Sequence, residues 1–344
     1  MRVNTLTPVH IGSGNKLTRV DFVVRDNRVI VLDSPKLFRA LEERGCKVID
    51  ELRYRSLDEL IRDYNLNPID FKVYDAKLVG SVGSEISEQI KTGNKPYIPG
   101  SSIKGAIRTA ILWYIVNNDR SLLNFTVRYL EELTRRRITS KTLREADDRL
   151  EKRVFGEDPR RDFMRALRVS DSSTFKSLKV YEVKILGSNV KGVCVECIDE
   201  NDSAEIEITI DERVLADNNV KSKFKAYGLG DSSEDVIEKI GEVTRDFSLN
   251  LIEKELSYGY KDKTKSIRRS SRNSKGMILR IGWGTGWYSK TIGLLLETHP
   301  KFESLRKKLG LGRSPRTKRV SEKFPKTRRV TVDGKPLGWI SIKR

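Results

Sequence analysis

The chain has 344 residues, with 67 Lys and Arg against 48 Asp and Glu and a formal charge of +19. At 37% hydrophobic and 33% charged it holds enough apolar material for a core, which excludes a wholly disordered chain, and its length points to two domains. The longest apolar run, residues 110–116, is far short of the roughly 20 residues that span a bilayer, and the opening MRVNTLTPVH lacks a signal-peptide core, so no membrane partner is expected and cytoplasm is the expected compartment.

The charge is local. Residues 261–280 hold 8 basic and 1 acidic residue and residues 301–344 hold 15 and 3, which accounts for the whole +19. Concentrated Lys and Arg beside glycine and aromatic residues is the footprint of a phosphate-backbone binder, because each neutralised phosphate releases counterions.

Residues 2–9 alternate like a strand and lead into a glycine loop, HIGSG, at 10–14. In VDFVVRDNRVIVL, Asp26-Asn27 between two β-branched runs predicts a hairpin. Ser34-Pro35 starts a short helix, and Ser56 with Glu59 forms the capping box of another. Residues 71–79 read as a strand, KTGNKPYIPGSS as a loop and 102–118 as a helix. Residues 119–168 read as charged helices with Leu122, Leu123, Leu130, Leu133, Leu143, Leu150 and Phe155 facing inward. After Asp171 come three strands, 179–186, 192–198 and 204–210, then an amphipathic helix over 233–256. The run KDKTKSIRRSSRNSK has no periodicity and is expected to be mobile without a ligand. A strand over 276–281 enters GWGTG, a helix restarts over 289–297, and RRVTVDGKPLGWISI reads as a hairpin turning at Asp333-Gly334. Each half combines a small sheet with helices, an α+β pattern.

Three motifs carry chemistry. In YIPGSSIKGAIRTAI, Ser101 or Ser102 can cap the helix, whose positive end attracts an anion, and Lys104 and Arg108 share one face four residues apart. The plain alternative is a capped core helix with two solvated basic residues. Ala106 and Ile107 stand where a Walker A loop needs Lys and Ser or Thr, so ATP has no support. In GWGTGWYSK, the glycines Gly282, Gly284 and Gly286 form an amide nest around Thr285 while Trp283, Trp287 and Tyr288 offer stacking surfaces beside Lys290; the alternative is a tight turn with tryptophans in the core. In HIGSG, His10 beside Gly12 and Gly14 can bond a phosphate or base, act as a general acid or base, or be a satisfied structural histidine. Cys194 and Cys197, three apart on a strand, point to opposite faces without a second ligand pair, which argues against zinc.

In this order, the opening LTPVHIGSG, the central YIPGSSIKGAIRTAI, RVSDSS at 168–173 and GWGTGW look like one known pattern. The chain resembles the RAMP superfamily of CRISPR proteins, and within it the Csm-type subunit of type III-A effector complexes that caps the 3′ end of the crRNA. The resemblance implies two tandem ferredoxin-like (RRM-like) domains: residues 1–170 with a helical insert at about 119–168, and residues 171–344 with the glycine-rich loop and basic tail. It implies a non-catalytic subunit without cofactor or metal, which supports crRNA maturation and antiviral defence. Its partners would be crRNA, the neighbouring repeated backbone subunit and, by proximity, target RNA. The expected RNA contacts are the three motifs together with Arg268, Arg269 and Arg272 of the basic run. The family's backbone subunit cuts target RNA with an aspartate after its first strand; Asp21, Asp26 and Asp33 lie within or at the ends of the expected hairpin, and no catalytic role is carried over to them. The alternative is a CRISPR-repeat endoribonuclease of the same superfamily using His10.

Overall fold

The computed structural model describes residues 1–344 apart from 136, 137, 140–145, 147, 259–261, 274, 315 and 316. Leu143 therefore lies outside the described residues.

The two ends of the chain meet in one antiparallel sheet. Strand Arg2–Thr5 lies between Ser203–Glu205 and Trp339–Lys343, and Met277–Arg280 completes the order. The register sets Val3 opposite both Ala204 and Ile342. Their side chains join Ile103, Ile107 and Ile111 of the Gly100–Asn118 helix and Ile240, Val243 and Phe247 of the Ser233–Leu256 helix in the principal core. Apolar residues repeating every three or four positions make that possible.

The larger sheet runs in the order Gly12–Thr18, Glu85–Gln89, Val193–Ile198, Leu178–Ile185, Lys72–Val79, Arg28–Leu32, Phe22–Arg25, with Arg329–Thr331 added to Leu178–Ile185. Both sheets draw strands from either side of residue 170, so the halves 1–170 and 171–344 interleave. Cys194 and Cys197 face different clusters, as alternation on a strand requires.

Locally encoded elements stand where the sequence puts them. Asp26 and Asn27 both take positive φ, 47° and 59°, the requirement of a two-residue hairpin turn. Asp33 caps the Ser34–Glu42 helix, and the Ser56–Glu59 capping box is complete. Leu37, Leu41, Leu60 and Ile61 of these helices cover Val23, Ile30 and Leu32 of the hairpin. The insert contains helices Arg120–Thr134 and Asp148–Phe155, and Leu122, Leu123, Leu130, Leu133, Leu150 and Phe155 are buried.

Strand Glu85–Gln89 and helix Asn218–Ala226 have no counterpart among the expected elements, the expected loop at 10–14 runs into strand Gly12–Thr18, and four further elements differ from expectation. The basic run is a helix, Asp262–Asn273, packed on Ser233–Leu256; among its described side chains Thr264, Ile267 and Ser271 are buried and Lys265, Ser266, Arg269 and Arg272 exposed. The 204–210 strand splits, because Ser203–Glu205 joins the small sheet while Ile208–Ile210 pairs with Leu167–Val169. The 289–297 helix breaks at Thr291, which is extended, leaving a turn at Tyr288–Lys290 and a short helix, Gly293–Leu296. The tail does turn at Gly334, whose N–H donates to Thr331 O at 2.8 Å, but its arms separate, Arg329–Thr331 entering the large sheet and Trp339–Lys343 the small one.

Trp339 is fully buried at the start of a central strand. Trp339→Ala is expected to cost about 3–5 kcal/mol, the range for emptying a buried aromatic site, measurable as a lower denaturant midpoint.

Candidate nucleic-acid interface

HIGSG and GWGTG form one unit. Strand Met277–Arg280 leads to Gly282, where φ is +83° and a β-carbon would collide with the carbonyl oxygen of His10. The next amide, that of Trp283, donates to the same carbonyl at 2.8 Å. A side chain at Gly282 is thus excluded by the chain's own backbone. The His10 ring is 3% exposed. Its Nδ1 lies 2.6 Å from Glu196 O, and its ring meets the Trp283 ring edge-on at 5.8 Å. Burial lowers its pKa, outweighing the opposing effect of the Glu196 hydrogen bond, so the imidazole is neutral at neutral pH. Neither a phosphate contact nor acid–base cleavage fits this position; His10 holds the two loops together.

Below the loops the Glu196 carboxylate accepts from Lys91 Nζ at 2.6 Å, Tyr74 OH at 2.7 Å and the Gln89 amide at 3.0 Å. Gln89 Oε1 in turn accepts from the Ile11 amide at 2.8 Å, which fixes the floor of HIGSG. Gly14 is open, with φ +95° and nothing within 4 Å of a β-carbon, while Gly12 lies near His10 Nε2.

At the start of the Gly100–Asn118 helix the anion is already present. The Gly100 amide donates to Asp171 Oδ1 at 2.8 Å, and RVSDSS is held beside it by Ile98 N to Ser172 Oγ at 2.9 Å. The N-cap is Pro99, and Ser101 and Ser102 lie inside the first turn without capping it, which corrects the expectation for both. Lys104 and Arg108 are half-buried and paired rather than solvated. Lys104 Nζ donates to Leu167 O at 2.6 Å. Arg108 reaches Glu151 at 3.0 Å and Asp162 at 2.6 Å and lies over the Phe155 ring.

The stacking surfaces are also filled from within. Arg329 covers Trp283 at 4.2 Å, Trp287 packs against Phe302 and Phe324, and the buried Tyr288 donates to Glu297. Gly284 has the expected positive φ, +81°, but a β-carbon there would lie 2.7 Å from Leu337 Cδ1, so its close approach is to this chain. Thr285 is buried.

A cavity of about 300 Å³ opens beside the glycine loop, lined by Gly284, Gly286, Trp287, Lys290, Thr291, Thr327 and Arg329. Gly286, with φ +84°, has nothing within 4 Å of a β-carbon. Lys290 reaches solvent and has no ion pair among the described residues; its neighbours desolvate it, as they do Arg329, and lower both pKa values. Two desolvated cations beside a glycine turn suit an anion. On the Asp262–Asn273 helix, Arg268 is paired with Glu253 at 2.6 Å, whereas Arg269 and Arg272 are exposed with Lys265. Lys265, Thr327 and Arg329 were not singled out by motif; for Lys265 the i, i+4, i+7 spacing with Arg269 and Arg272 is the signal that finds it. No cluster of His, Cys, Asp or Glu among the described residues could hold a metal ion, and no described helix is long and apolar enough to cross a membrane.

The interlocked glycine loops and the α+β sheets coincide with a known class. The sequence pattern of the RAMP superfamily matches residues 2–289, and the chain belongs to that superfamily. More particularly, it is similar to the CRISPR system Cms protein Csm5 of Methanocaldococcus jannaschii, 25% identical over 390 residues that cover 99% of this chain and 88% of that protein. Csm5 of Streptococcus thermophilus is 27% identical over 146 residues, covering 35% and 40%. The crystal structure of T. onnurineus Csm5 matches with a TM-score of 0.78 at 29% identity, covering 99% of this chain and 100% of that one. A chain of the cryo-EM structure of a type III-A Csm–crRNA–target RNA ternary complex matches with a TM-score of 0.81 at 31% identity, covering 99% of each.

The glycines should separate by thermal melting. Gly282→Ala is expected to lower the melting temperature most, because the His10 carbonyl must move, while Gly286→Ala should cost only about 1 kcal/mol of left-handed strain. Arg108→Ala, which strands two carboxylates, is expected to cost about 1–3 kcal/mol.

Proposed function

We propose that this chain is a non-catalytic structural subunit of a type III-A CRISPR effector complex that holds the 3′ end of the crRNA. The observation that carries this reading is the end-to-end likeness to a chain from a Csm–crRNA–target RNA complex. In the same reading it works in the cytoplasm, sits beside the repeated backbone subunit with target RNA close by, and supports crRNA maturation and antiviral defence. Two sheets backed by helices support describing the fold as two ferredoxin-like (RRM-like) units whose strands come from both ends of the chain.

The RNA contacts divide into two kinds. Gly286, Lys290 and Arg329 line the phosphate cavity, Arg269 and Arg272 with Lys265 form an exposed basic stripe, and Gly12 and Gly14 lie in the exposed strand Gly12–Thr18. His10, Ser101, Ser102, Lys104, Arg108, Arg268, Gly282, Trp283, Gly284 and Thr285 act through the shape of the loops and of the Gly100–Asn118 helix. Contacts to phosphate fix the position of an RNA without reading its sequence, which is what a subunit serving many guides requires.

Salt dependence of single-stranded RNA binding tests this. Affinity is expected to fall steeply with salt, and neutralising Lys265, Arg269 and Arg272 together should reduce the log–log slope by about 2, roughly 0.7 per lost phosphate contact. Lys290→Ala should weaken binding with an unchanged melting temperature, since its side chain has no ion pair among the described residues. An unchanged slope in the triple variant would remove the stripe from the interface. A wild-type protein that binds no RNA, alone or in the assembled complex, would overturn the reading.

A further inference from the structure

Next to the cavity at Lys290 and Arg329 lies a second one of about 640 Å³, inside the range of about 300–1,000 Å³ typical of small-ligand sites. The two share Trp287, Lys290 and Thr291, so a basic opening adjoins a larger chamber. The chamber walls are apolar: Leu112 of the Gly100–Asn118 helix, Leu130 of Arg120–Thr134, Ile292 and Leu296 after the glycine loop, and Leu309. Gly105 also faces it, and a β-carbon there would meet nothing within 4 Å, so part of the space exists because this helix position has no side chain. Glycine is otherwise a poor choice inside a helix.

The polar lining consists of Thr109, Thr126 and Thr291 together with three charged side chains. Lys290 stands at the mouth, and the Arg108–Glu151 pair lies at the wall. Glu151 engages Arg108 through Oε2 alone, leaving Oε1 without a hydrogen bond among the described residues. That oxygen can accept from an N–H.

We propose that this chamber receives one unpaired nucleobase of the bound RNA, turned inward while its phosphate stays at Lys290 and Gly286. The inference rests on the RNA-binding reading above and adds to it a base subsite. A nucleotide is an anion joined through a sugar to a flat, largely apolar ring carrying N–H groups at its edge. The two cavities offer the same parts in the same order, a cationic opening followed by an apolar interior with one spare carboxylate oxygen. A base held there adds a stop against sliding along the strand, which electrostatic backbone contacts permit.

The test uses the full-length chain and short single-stranded RNAs of footprint length, each with one abasic nucleotide at a different position. One position is expected to lose about tenfold in affinity and the others less than twofold. Gly105→Leu, a substitution that favours the helix and fills the chamber, should weaken intact RNA by a similar factor, erase the positional effect and keep the salt slope. Thr109→Leu, filling the same space from one turn on, provides a second variant if Gly105→Leu melts early. Equal, small losses at every abasic position, with intact RNA still bound steeply with salt, would overturn the base subsite and leave the RNA reading standing. Tighter binding of an uncharged aromatic compound than of a nucleoside monophosphate, lost in Gly105→Leu, would instead make the chamber a site for an apolar small molecule. Failure of intact RNA to bind at all would remove the RNA reading itself.

Discussion

A single carbonyl organises the interface. The oxygen of His10 accepts the Trp283 amide at 2.8 Å and leaves no room for a side chain at Gly282. For that contact to exist, the segment after the first strand must reach the end of Met277–Arg280 across one intervening strand, and the two lie on either side of Trp339–Lys343 in one sheet. The order of pairing therefore decides where the glycine loop goes. Closing a sheet with both chain ends requires long-range contacts, so the loop geometry is secured only when the whole sheet is formed.

The second organising principle is that charge near the motifs is mostly answered within the chain. Asp171 supplies the anion at the Gly100–Asn118 helix start, while Glu151 and Asp162 answer Arg108. Lys91, almost fully buried, is answered by Glu196 and Glu88. Buried charges are tolerated only when paired in this way. Close to the glycine loop and on the outer face of Asp262–Asn273, Lys290, Lys265, Arg269 and Arg272 are exposed without an ion pair among the described residues, so their charge is left over for a polyanion.

This explains which parts of the molecule were legible in its sequence. The Asp26-Asn27 turn and the Ser56–Glu59 box are set by residues two or three apart, and both are as expected. Lys104 and Arg108 were seen to share a helix face, but their partners lie dozens of residues away, so nothing local revealed that the charges were already engaged. The Asp262–Asn273 helix was missed because Thr264 and Ser271 occupy two of its buried positions, and hydroxyls there break the apolar periodicity by which helices are recognised. Glycine spacing announced a special backbone at 282–286, yet only the fold shows that Gly282 and Gly284 face the protein and Gly286 faces open space.

The proposed role, positioning RNA rather than cleaving it, agrees with how the acidic and histidine side chains near the first hairpin are used. Asp21 accepts from the amide and hydroxyl of Thr18, Asp26 forms the hairpin turn, and Asp33 caps the following helix. Each aspartate around the first hairpin is engaged in local structure, and the histidine next to the glycine loop is buried and neutral. The network that removes His10 from solvent is also what steadies the loop, because Glu196 binds the ring through its carbonyl and Lys91, Tyr74 and Gln89 through its carboxylate. In the proposed role, a loop held this firmly loses little conformational freedom on binding RNA, and preorganisation of that kind strengthens an interface without adding a contact.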